Sequence, residues 1–143
     1  MITDILKSLF ISLGVASLLQ YLFFRIESEA VFELLKANIT NLQVALLAVN
    51  AATLGIVLTK IKELIDKKGC NTFDEVKMQM LLSIKEQIAL IVTSLIIIAL
   101  ISAKSPPINI EVDVYKVALL ATFVYTLLIL YDTANSVFVI LDN

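Results

Sequence analysis

No histidine and no tryptophan occur in this chain, and its 143 residues include one cysteine, Cys70. The missing imidazole removes haem ligation, most zinc sites and the commonest acid–base catalyst, and a lone thiol closes no intrachain disulfide. Glycine and proline are nearly as scarce, with three and two copies. No Gly-rich phosphate loop, H-E-x-x-H helix, G-x-S-x-G elbow or metal-spaced cluster can be read anywhere in the chain. Charge is thin as well, at 17% of residues with a net −2. The basic residues of the central connection are interleaved with Glu63, Asp66, Asp74 and Glu75, a pattern unlike the basic patch that holds nucleic acid. These absences lead us to expect a non-enzymatic protein without cofactor or metal and without a nucleic-acid partner.

What the chain has in quantity is apolar surface: 59% of residues are hydrophobic and the mean hydropathy is +0.95. An ordinary globular domain is about 45–50% apolar, so the expected surroundings are a lipid bilayer. Four stretches have the length and apolarity of spanning helices, at about 5–24, 42–59, 88–103 and 114–131. The first lacks a small-residue cleavage site and is read as a permanent span. The expected fold is all-α: a polytopic integral membrane protein of one domain (1–143), with four transmembrane helices in an antiparallel bundle.

Orientation follows from charge. Lys60, Lys62, Lys67, Lys68, Lys77 and Lys85 fall in the connection between the second and third spans, six of eleven basic residues. Lysines flanking spans stay on the cytoplasmic side, so both termini are expected there, in a bacterial inner membrane. Capping-box patterns at Thr40–Gln43 and Thr72–Glu75 suggest that one helix begins near Asn41 and another near Phe73. Helices 2, 3 and 4 are expected to extend into the cytoplasm, the first two as a hairpin over about 60–87. On the outer side, 25–38 reads as a short amphipathic helix. The alternation of Ile108, Ile110, Val112 and Val114 after a proline pair reads as an extended segment.

Apolar side chains gain little by leaving lipid for one another, so small and polar residues direct packing. Ser8, Ser12, Ala16 and Gln20 form one such stripe, Ala51, Gly55 and Thr59 a second, and Ala118, Thr122 and Thr126 a third. These faces suit a homo-oligomer as well as a monomeric bundle. Gln43, Asn50 and Thr53 share a face of helix 2 and are either a polar packing seam or the lining of a pore between protomers. Asp132 stands in the otherwise apolar run LLILYDTANSVFVILD. A helical rise of about 1.5 Å per residue puts it roughly 27 Å below the outer start of helix 4, level with Lys7, Lys60 and Lys85. At that boundary a structural ion pair with Lys85 or Lys60 is the expectation. Leu64, Met80, Phe138 and Leu141 belong to apolar stripes that continue past the bilayer, and they are candidates for docking a cytosolic protein partner.

Four spans in a short chain resemble the small multidrug-resistance transporters. That family is associated with a carboxylate deep in the first helix, whereas no acidic residue lies between Asp4 and Glu27 here. Small membrane subunits of bacterial defence systems are similar in general build. The expected function is therefore that of a membrane sensor, anchor or effector subunit coupling the bilayer to a cytosolic partner. The alternative is a channel or holin-like pore conducting ions between protomers.

Overall fold

The structure, a computed structural model, describes residues 2–68, 74–103 and 111–141, with side chains described for 3–63, 78–103, 111 and 113–135. It is all-helical among these residues: α1 (Ile2–Arg25), α2 (Ala30–Lys68), α3 (Asp74–Ser102) and α4 (Val112–Leu141). All four are long and apolar enough to cross a membrane.

α1 stops at a tight corner. Ser28 N–H reaches back to the Phe23 carbonyl at 3.1 Å and Glu27 N–H to that of Phe24 at 3.2 Å, the paired bonds of a Schellman stop. The residue that must turn left-handed is Glu27, at φ 51°, where glycine is the usual occupant. Two residues later Glu29 starts α2 by accepting the Glu33 N–H at 3.0 Å.

α2 departs most from the sequence expectation. The outer amphipathic helix and the second span are one continuous helix of 39 residues. Thr40 therefore lies inside a helix rather than capping one. The physical reason is that neither glycine nor proline interrupts the chain between Ala30 and Leu54, and Phe32, Leu35 and Ile39 are buried at helical spacing on one face. The Thr72 box and the residues from Lys104 to Ile110 lie outside the described residues. Val112 and Val114 are already in α4, so the extended reading does not apply to them.

α4 is the hub. Among the described residues its backbone approaches those of α1, α2 and α3, and α2 also meets α3, whereas the backbone of α1 comes close to that of α4 only. Burial agrees: 44% of the most apolar window of α4 is covered, against 11% for α1. The face that α1 turns inward carries Ser12 and Ala16, both fully buried, within the small-residue stripe read from the sequence.

The core has two apolar parts. At the corner end, where α1 turns into α2, Phe32, Leu35 and Ile39 cluster with Ile97, Tyr115 and Leu119. At the hairpin end, where α2 and α3 face each other near their connection, Leu54, Val57 and Ile61 cluster with Met80 and Ile84. Along α2 and α3, polar residues stand between these parts.

Candidate functional site: a buried polar belt and the pockets at its ends

Gln43 and Asn50 on α2, Gln87 and Ser94 on α3, and Thr122 and Thr126 on α4 are all buried, none more than 7% exposed. Their spacing is that of a helical seam: Gln43, Asn50 and Val57 recur every seven residues, as do Met80, Gln87 and Ser94. Hydroxyls tie the three helices together. Gln43 Nε2 donates to Thr126 Oγ1 at 3.2 Å, and Thr126 in turn donates to the Thr122 carbonyl at 2.8 Å. Ser94 Oγ donates to Thr122 Oγ1 at 3.0 Å, and Thr122 donates to the Leu119 carbonyl at 2.8 Å. Interhelical bonds of this kind contribute on average about 0.6 kcal/mol in a membrane, so they set register more than they add stability.

The amides are less well served. Gln43 Oε1, both polar atoms of Asn50 and both polar atoms of Gln87 are buried without a hydrogen-bond partner. Such groups are expensive in an apolar interior, at about 1–3 kcal/mol each in protein mutational data. Five unmatched amide atoms in one belt give the bundle interior capacity to bind water or another polar species. Thr53, placed by sequence on the same face, is only half-buried and donates to its own helix at the Val49 carbonyl, 2.9 Å away. The belt is thus Gln43 and Asn50 joined by residues that the helix 2 pattern did not reveal. For Gln87 and Ser94 the available signal was the seven-residue step from Met80.

At the corner end a cavity of about 480 Å³ opens among α1, α2 and α4. Lys116 organises it, with Nζ 2.7 Å from Glu29 Oε1 and 3.7 Å from Asp113 Oδ1, and 5.4 Å from the centre of the Phe32 ring. Gln20 Nε2 reaches Asp113 Oδ1 at 3.4 Å. These contacts fasten the α1–α2 corner to the start of α4.

At the hairpin end a second cavity, about 300 Å³, lies between the start of α1, the first half of α3 and the second half of α4. Asp132 lines it, together with Asp4, Glu86 and Tyr125. The expected pairing of Asp132 with Lys85 or Lys60 is not among the salt bridges of the described residues. Lys60 Nζ is 3.1 Å from Glu63 Oε2, one helical turn along, and Lys85 is exposed. The neighbours that act electrostatically on Asp132 and Glu86 include further acids, Asp4 on the former and Asp132 on the latter. Of the candidate docking residues, Met80 is 6% exposed and packs in the hairpin-end cluster. The side chains of Leu64, Phe138 and Leu141 lie outside the described set.

The described residues and the belt define an all-helical bundle of four apolar helices with buried polar residues between two apolar clusters. No family model, curated protein or solved structure matches the chain.

Proposed function

We propose that this protein is a non-enzymatic membrane subunit that couples the bilayer to a cytosolic partner through its hairpin end. It would serve as the sensor, anchor or effector of a multi-component system such as a bacterial defence system. The observation that carries the reading is the length and continuity of α2. Its 39 residues correspond to about 58 Å of helix, nearly twice the roughly 30 Å of a hydrocarbon core. A helix unbroken across that boundary transmits a tilt or rotation in the membrane to whatever is bound beyond it. The lysines of the α2–α3 connection favour a cytoplasmic hairpin and cytoplasmic termini in an inner membrane. Ala51, Gly55 and Thr59 are exposed, which leaves a small-residue face for a second copy of the chain.

Orientation is testable without engineering, because Cys70 is the sole thiol. A membrane-impermeant maleimide should label it in inverted vesicles and not in intact cells. Coupling is tested by replacing 64–77 with a flexible linker in the tagged full-length chain. A soluble companion should co-purify with the unaltered protein and be lost with the replacement. Purification without any companion, together with full cellular function of the replaced chain, would overturn the proposal.

The second reading, conduction, is favoured by one observation: the unmatched amides of Gln43, Asn50 and Gln87. It requires conductance in planar bilayers that Asn50→Leu abolishes.

A further inference from the structure

The corner-end cavity carries charges of both signs at the depth of the lipid headgroups. That depth is set by α1. No charged residue lies between Lys7 and Arg25, and the rise from Asp4 to Arg25 is about 31 Å, the thickness of a hydrocarbon core. The turn from Arg25 to Glu29 therefore stands at the bilayer surface, with Phe24 and Ile26 exposed beside it. The cavity that opens there, about 480 Å³, is within the range of small-molecule sites, roughly 300–1,000 Å³.

Its charges are unequally matched. Lys116 is closed by Glu29 at 2.7 Å and stands 3.7 Å from Asp113. Arg25 and Glu27 also line the cavity, both exposed, and among the described residues neither makes an ion pair or a side-chain hydrogen bond. They are two residues apart across the end of α1, a spacing at which side chains do not face each other. Glu27 is also the residue held left-handed, at φ 51°. Glycine would fit that backbone with less strain, so the corner keeps a carboxylate at the cavity at a cost in stability. A ligand of one charge sign would match either the guanidinium or the carboxylates and leave the other unmatched.

We propose that this cavity binds the headgroup of a phospholipid that ends in a primary ammonium. The phosphate would meet Arg25, whose fork of donors suits its oxygens. The ammonium would meet Glu27 and the open side of Asp113. Its three N–H donors match carboxylate acceptors, whereas a trimethylammonium has none to offer. The acyl chains would run past Phe24 into the bilayer.

The test is native mass spectrometry of the full-length protein released from micelles that hold equal amounts of dioleoyl phosphatidylethanolamine, phosphatidylcholine and phosphatidylglycerol. The three lipids share their acyl chains and phosphate and differ in the terminal group. One preferred site is expected, filled by phosphatidylethanolamine about three to five times as readily as by phosphatidylcholine, the worth of a solvent-exposed ion pair. Glu27→Gln should erase that preference. Glu27→Gly, which relieves the left-handed backbone, should erase it too and decides the matter should Glu27→Gln fail to fold. Arg25→Gln should weaken all three lipids alike, and Glu63→Gln, on an exposed turn of α2, should change nothing. The proposal is overturned if phosphatidylethanolamine is not preferred to phosphatidylcholine, if phosphatidylglycerol outcompetes it, or if a folded Glu27 variant keeps the preference. It is overturned as well if soluble glycerophosphoethanolamine, equimolar with the lipid, displaces it.

Discussion

Asn50 offers the sharpest test of the polar belt. It is fully buried, and neither of its side-chain polar atoms has a partner. Leucine has the same number of side-chain heavy atoms, so Asn50→Leu exchanges two unmatched polar groups for two methyls with little change of shape. Each unmatched group costs about 1–3 kcal/mol, and a near-isosteric swap adds strain of less than about 1.5 kcal/mol. The unfolded chain in a membrane also finds partners for an asparagine, which keeps the folded-state penalty from cancelling. Asn50→Leu should therefore stabilise the bundle by about 1–3 kcal/mol. Gln43→Leu should stabilise by less, since the gain from removing its one unmatched oxygen is partly offset by loss of the bond to Thr126, worth about 0.6 kcal/mol. The assay is reversible unfolding in mixed micelles or bicelles, with helicity and a steric-trapping probe read in parallel. A folded Asn50→Leu protein less stable than wild type by more than about 1 kcal/mol would refute the reasoning. That result would mean that the amide is fully matched in the membrane. If the belt also conducts, the same substitution raises stability and removes conductance, the exchange expected where function retains a costly group.

Three further outcomes follow from the same unfolding measurement. Glu27→Gly relieves the left-handed backbone at the α1–α2 corner and should stabilise by about 1 kcal/mol, whereas Glu27→Val should destabilise. Ala16→Leu overfills the buried seam between α1 and α4 and should cost about 1–3 kcal/mol, with α1 released first, as seen by faster hydrogen exchange confined to that helix. Lys116→Met removes the links to Glu29 and Asp113, but both acids are largely exposed, so the loss should be about 1 kcal/mol or less and should shrink further in high salt.

The existence and number of the four apolar spans were legible because apolarity over a spanning length is a bulk property, readable without knowing any contact. The Ser12–Ala16 stripe was legible for a related reason: small residues at steps of four mark where a neighbouring backbone comes close. The start of α2 was not, because the Thr40–Gln43 pattern is a local signal, and the buried stripe of Phe32, Leu35 and Ile39 carries the helix straight through it. Gln43 in fact sends its amide to Thr126 on α4. Asp132 shows a different limit. Asp4 and Glu86 share a cavity with it through helix rotation and pairing, which no one-dimensional spacing encodes.

The central position of α4 has a consequence for how the bundle comes to exist. Of the four helices it leaves the ribosome last, yet among the described residues the backbone of α1, the first, comes close to that of no other helix. While α2 and α3 can pair as soon as both are inserted, α1 must wait in the bilayer as a solitary helix until some hundred residues later its partner arrives. Assembly is thereby tied to completion of the fourth span. A chain interrupted before α4 would carry an inserted first helix with a bare small-residue face, which quality-control proteases of the membrane could recognise.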